Sequence, residues 1–185
     1  MICIPVMEPT HREALRAAAK SAVLADVIEL RMDWIADGDV SELISAARRA
    51  SAGVKVIVTC RRREEFLLAQ ENLPALPAKE RTGAAKMKLL EKAVLSGADF
   101  IDIELAEGAR AISRMRSLCH KRPNPARLIV SWHDPFKTPS LNGLKKIFDA
   151  CVQAGADIVK MVPYARSLSD NAAVLSLMDY AKDQG

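Results

Sequence analysis

The chain has 185 residues, half of them hydrophobic and 27% charged, with a net charge of +4. This is the balance of an ordinary globular domain large enough to bury a core, and we read residues 1–185 as one domain. The small basic excess and the 4% aromatic content exclude a nucleic-acid partner as the expectation. No apolar run approaches the ~20 residues of a membrane-spanning helix, and no basic segment precedes the apolar start. A cytoplasmic protein away from membranes is therefore expected. Cys3, Cys60, Cys119 and Cys151 form no Cys-x-x-Cys pair, so they read as buried or half-buried free thiols rather than as zinc ligands or a redox couple.

Six short runs rich in Ile and Val read as strands covered on both faces: Ile2–Val6, Asp26–Arg31, Val54–Cys60, Asp99–Glu104, Leu128–His133 and Asp157–Val162. Helical stretches separate them. Thr10-His11-Arg12-Glu13 and Asp39-Val40-Ser41-Glu42 are helix starts of the capping-box type. Gly97-Ala98-Asp99 and Gly155-Ala156-Asp157 look like two copies of one helix-to-strand joint, and Ala25-Asp26 is a weaker third. Strand starts recur about every thirty residues, which implies repeated βα units and parallel strands. One interval is longer and carries a charged, then Pro-containing loop from Arg61 to Ala78; loops of that length are commonly functional or mobile.

An open doubly wound sheet and a β/α barrel both fit repeated βα units. Length favours the open sheet, since a barrel ordinarily takes eight units and roughly 250 residues. Yet no Gly-rich phosphate loop follows any strand. The placement of polar residues favours the barrel. Glu29, Arg31 and Asp33 alternate with Ile28, Leu30 and Met32, and Asp102 and Glu104 alternate with Ile101 and Ile103. Ser131 and His133 share parity, and Lys160 shares it with Ile158 and Val162. Polar strand ends converging on one mouth are what a barrel active site requires.

A single charged residue at a strand end is ordinarily solvated, and Glu29-x-Arg31-x-Asp33 could be a structural ion-pair ladder. His11, in a first helical turn, and His120 read as solvated. Lys160 is different: an amine in an apolar strand must reach solvent along its stem or sit in a partly dry site. There it can act as a nucleophile on carbonyls, with His133 on the neighbouring strand moving protons.

Glu29-x-Arg31-x-Asp33, Thr59-Cys60-Arg61, Ile101-Asp102-Ile103-Glu104, Ser131-Trp132-His133-Asp134 with Thr138-Pro139-Ser140, and Gly155 to Lys160 occur in this order. In that set the chain resembles type I 3-dehydroquinate dehydratase, the Schiff-base enzyme of the shikimate pathway, from Ile2 to about Leu177. The resemblance implies an α/β fold of the (β/α)8 TIM-barrel type, with about six βα units present. It implies a lyase that dehydrates 3-dehydroquinate without metal or other cofactor. Lys160 would form the imine, His133 would be the general acid/base, and Glu65 would assist the histidine. Glu29, Arg31 and Arg61 would bind the substrate, and Asp102 would orient its neighbours. The family's barrel has two further βα units, which supply an arginine for the substrate carboxylate and polar loop residues over the site. Here the sequence stops at Lys182-Asp183-Gln184-Gly185, read as the end of a sixth helix. Trp132 and Pro135 beside the histidine also depart from the usual pattern.

Open strand edges and an apolar interior are therefore expected, covered by a second copy as a homodimer or by further chain. A class I aldolase-like lyase on the same fold, and an inactive incomplete barrel serving as a binding or assembly module, are the alternatives. The Lys160 amine is expected to point into the polar mouth beside His133, with no other lysine in a comparable inward position.

Overall fold

The computed structural model describes residues 1–35, 37–61 and 83–184. The strands are β1 (Cys3–Val6), β2 (Val27–Arg31), β3 (Lys55–Thr59), β4 (Phe100–Glu104), β5 (Arg127–Asp134) and β6 (Ile158–Pro163). Helices α1 (His11–Leu24), α2 (Val40–Ala50), α3 (Gly83–Leu95), α4 (Ala109–His120), α5 (Leu141–Ala154) and α6 (Leu168–Asp183) alternate with them. A single 3-10 turn, Leu105–Glu107, follows β4. Each observed strand ends within one residue of its expected bounds. None of the described helices is long and apolar enough to cross a membrane.

All strand pairs are parallel, in the order β1-β2-β3-β4-β5-β6. The outer face of the sheet is aliphatic. Ile28 and Leu30, Val56 and Val58, Ile101 and Ile103, and Leu128 and Val130 are fully buried against the helices. The inner face carries the polar residues. Glu29 of β2 and Lys160 of β6 approach to 3.6 Å although their strands are four steps apart. In a flat sheet that separation would be roughly 19 Å. The sheet is therefore curled into an open arc of a barrel, with β1 and β6 at its two ends.

Position in the arc explains a departure from expectation. β1 and β6 are not covered on both faces: β6 has no fully buried residue and β1 only Val6. Each has one neighbouring strand. Beside them Ile2, Val162, Leu168, Leu175 and Met178 are exposed. The arc interior is polar at the mouth rather than apolar throughout. Cys3 is also exposed, whereas Cys60, Cys119 and Cys151 are the buried thiols expected.

The repeated joint has a structural basis. Asp26, Asp99 and Asp157 each accept a hydrogen bond from the backbone N–H of Ile2, Val56 and Leu128, at 2.6, 2.8 and 2.7 Å. Each aspartate's own N–H donates to the carbonyl of that same residue. The same clamp thus ties β2 to β1, β4 to β3 and β6 to β5. Gly97 and Gly155 reverse the chain into the clamp with φ of 97° and 101°, a left-handed region costly for other residues. At the third joint the helix ends instead on Ala25 in an extended conformation, so no glycine is needed.

Asp99 is the most heavily used clamp. It also receives Arg48 at 2.6 Å and Lys55 at 3.3 Å, and its side chain is 18% exposed. Asp99→Ala should lower stability by about 2–3 kcal/mol, because it strands a buried N–H and a half-buried guanidinium. Asp26→Ala, at a carboxylate 62% exposed, should cost no more than about 1 kcal/mol. Urea midpoints of the two variants measure the difference; equal losses would show that the clamp's burial does not set its strength.

Candidate active site

Strand register brings the inner-face side chains into two tiers. Thr59 lies opposite both Arg31 and Asp102, and Ser131 lies opposite both Glu104 and Lys160. Residues paired in a parallel ladder face the same way. The alternation read in the sequence therefore becomes a ring of polar groups spanning β2 to β6, with Arg61 entering from just beyond β3.

Asp102 is the hub and is 1% exposed. Arg61 forks onto it through Nη1 at 3.0 Å and Nη2 at 2.6 Å, a bidentate pair. Ser131 donates its hydroxyl to Asp102 at 2.6 Å and accepts from Arg61 at 2.7 Å. The Lys160 amine donates to Asp102 at 3.2 Å. Burial alone would raise the Asp102 pKa; the charges of Arg61 and Lys160, with the hydrogen bonds from Arg61 and Ser131, outweigh it and hold the carboxyl below its ordinary range. Asp102 thus touches the lysine directly, a closer part than the orienting one expected of it.

Glu29 accepts a 2.6 Å hydrogen bond from Thr59 and stands 3.6 Å from the Lys160 amine. Arg31 forks onto Asp33 at 3.0 and 2.6 Å. Of the sequence Glu29-x-Arg31-x-Asp33, the second half is a structural ion pair and the first half belongs to the lysine. Asp33 and Glu104 are occupied elsewhere, so the inner-face carboxylates that meet Lys160 among the described residues are Glu29 and Asp102.

His133 ends the inner face of β5, one inner-face step beyond Ser131, the partner of Lys160. That places the two backbones roughly 8 Å apart, within reach of a lysine stem. Burial first, then the charges of Arg61, Lys160 and Arg31, push the His133 pKa down to about 4, against the opposing pull of Asp102. The imidazole is neutral near pH 7. With Asp134, Pro135, Val162, Pro163 and Tyr164 it lines a cleft of about 160 Å³. Among the described residues no cluster of three or more His, Cys, Asp and Glu side chains could hold a metal ion.

Two placements differ from expectation. His11 is not solvated: its side chain is 20% exposed, its Nδ1 accepts from the Asp39 N–H and its Nε2 meets Glu42 at 2.8 Å. The starts of α1 and α2 abut there, and the ring joins their caps. His120 is exposed as expected, yet contacts Asp157 at 3.1 Å. Lys86 on α3 was not expected. It is 2% exposed and pairs with Glu104 at the end of β4 and, at 2.9 Å, with Glu107. Burial pushes its pKa down, and the two carboxylates together outweigh that and leave it raised. Glu65 lies outside the described residues, as do Arg62 and Arg63.

The profile of the type I 3-dehydroquinase family matches residues 2–185. The chain belongs to this family. The 3-dehydroquinate dehydratase of Desulfotalea psychrophila is 32% identical over 187 residues, a match covering 100% of this chain and 74% of that protein. The crystal structure of 3-dehydroquinate dehydratase from Geobacillus kaustophilus superimposes with a TM-score of 0.78 at 25% identity, covering 99% of this chain and 69% of that one. A type I 3-dehydroquinate dehydratase from Clostridium difficile, solved with covalently modified comenic acid, gives a TM-score of 0.75 at 22% identity over 94% of this chain and 67% of that one. The six-stranded arc is thus part of a barrel-type fold, as the polar strand ends implied. The chain spans about three quarters of the length of the curated relatives it matches. Type I 3-dehydroquinases are the Schiff-base class.

Proposed function

We propose that this chain carries the dehydration of 3-dehydroquinate to 3-dehydroshikimate, with Lys160 as the imine-forming residue. The observation that carries the reading is the meeting of an inward amine, two carboxylates and a neutral imidazole on one strand-end face. The Lys160 amine attacks the C3 carbonyl, and the carbonyl oxygen leaves as water once the carbinolamine is protonated. The resulting iminium withdraws electrons from C2, and His133 removes the C2 proton, forming an enamine. The enamine's electron pair expels the C1 hydroxyl, which leaves as water with the proton that His133 has just taken. A second water hydrolyses the iminium, releasing the enone and returning the amine. Atoms balance as the loss of one water, and no electrons enter or leave.

Glu29 and Asp102 keep the amine on the inner face, and Arg61 holds Asp102 in register. Arg31, forked onto Asp33 with its side chain 21% exposed, presents a cation at the mouth to a substrate rich in hydroxyls, whereas the Arg61 guanidinium is buried on Asp102 and Ser131 and serves the substrate through them. Incubation with 3-dehydroquinate should produce the ultraviolet absorbance of the conjugated enone. A folded chain that neither develops that absorbance nor forms a borohydride-trapped adduct would overturn the reading.

A further inference from the structure

Among the described residues, the Arg61 guanidinium has two carboxylates to serve. It forks onto Asp102, and its Nη1 also lies 3.7 Å from Oε1 of Glu104. Both carboxylates are 1% exposed. A buried anion with too little positive charge around it competes for any nearby cation, because water cannot compensate it. Glu104 has a second cation. Its other oxygen, Oε2, meets the Lys86 amine, which α3 delivers from outside the barrel mouth and which Glu107 holds from the far side. Lys86 is itself 2% exposed and cannot reach solvent.

We propose that Lys86 is a positioning residue: it satisfies Glu104 and so commits the Arg61 fork to Asp102 and Ser131, which fixes the carboxylate that holds Lys160. It acts on the reacting amine through four contacts in series, Lys86 to Glu104, Glu104 to Arg61, Arg61 to Asp102, and Asp102 to Lys160. This goes beyond the dehydratase reading, and rests on it only in taking Lys160 as the reacting amine.

The consequence has a definite sign. Without Lys86, Arg61 turns toward Glu104, and Asp102 keeps Lys160 as its strongest cationic partner. A less neutralised carboxylate favours the charged amine, so Lys160 should react only at higher pH. Among the described residues, the groups that face Lys160 are Glu29 from β2, Asp102 from β4 and Cys3 from β1, whose thiol feels both Glu29 and Lys160. Arg61 from the end of β3 acts on it through Asp102, and His133 from β5 shares its field. Lys86→Met alters none of these side chains directly.

The test reads Lys160 without turnover, so it stands even if the dehydratase reading fails. Trace acetic anhydride is added across a pH series, and acetylation at Lys160 is measured by mass spectrometry of its peptide. In Lys86→Met the reactivity profile of Lys160 should move up by about one pH unit, a roughly tenfold loss of reactivity at neutral pH. The double variant Lys86→Met/Glu104→Gln removes the competing anion, and its profile should return to that of the unaltered chain. A folded Lys86→Met with an unmoved profile would overturn the proposal, as would a double variant that keeps the shift. A crystal structure of Lys86→Met with Arg61 still forked on Asp102 and turned away from Glu104 would do the same. Should Lys86→Met fail to fold, the double variant and Lys86→Arg carry the test: both should match the unaltered profile, and a shift in the double variant overturns the proposal.

Discussion

Lys160→Met should abolish covalent trapping: borohydride added with 3-dehydroquinate should leave no adduct on the chain, and turnover should fall by at least roughly 10⁵-fold, the low end of the advantage of a held nucleophile over one from solution. The substitution keeps the stem and removes only the amine. Asp102 retains Arg61 and Ser131, and Glu29 retains Thr59, so no carboxylate of the ring is left bare. The fold should survive, and circular dichroism of the variant checks it. Lys86, the other lysine near this face among the described residues, cannot take over. It is 2% exposed and held by Glu104 and Glu107, whereas the Lys160 side chain is 35% exposed and open to a ligand. In the unaltered chain, a single adduct on the Lys160 peptide is expected. An adduct on Lys86 or on any other lysine, or one that persists in Lys160→Met, would remove Lys160 from the mechanism.

Most of this site was legible because strand geometry is a local code. A period of two assigns each residue of a strand to a face, and Ile and Val on the alternate positions say which face meets the helices. Alternation therefore assigns Glu29, Asp102, Ser131 and Lys160 to the polar strand-end side of the sheet. The aspartate joints were legible as a repeat, though their purpose was not: that Asp99 and Asp157 clamp the preceding strand depends on parallel register. Lys86 was illegible for a physical reason. It sits in the first turns of a helix near Lys88 and differs from it in no local respect. Its burial is decided by where α3 docks, over two carboxylates that come from β4 and the turn after it. His11 escaped in the same way, since its partners Asp39 and Glu42 belong to another helix. The weak cover of β1 and β6 is likewise a matter of position in the sheet, which apolar content does not report. Counting charges around Lys160 could not settle its surroundings either, because Asp33 is taken by Arg31 and Glu104 by Lys86.

His133→Ala should cut turnover by roughly 10²–10⁴-fold, the range that a positioned acid/base supplies. Trapping on Lys160 should persist in part, because the amine and both of its carboxylates remain. The pH behaviour of the ring makes a second, independent reading of the same residue. An unfolded histidine takes its proton near 6.5, and the folded His133 takes it only near about 4. Between those values the unfolded chain binds the proton and the folded chain does not, so acidification through this window favours unfolding. Stability attributable to His133 is therefore fully present above about pH 6.5, declines as pH falls toward 4, and is lost below that. His133→Ala lacks this component. The gap between the two chains' urea midpoints should narrow as pH is lowered through the window, while the losses due to carboxylates are common to both and cancel. The depressed value also fits the chemistry, since a neutral imidazole can accept the C2 proton across the neutral range. In the proposed mechanism the proton it then carries is the one the leaving hydroxyl needs, so a single group would serve both steps without exchange with solvent. Turnover in His133→Ala close to that of the unaltered chain would return the residue to a structural part, and a gap in midpoints that stays constant with pH would show that its imidazole is not held neutral.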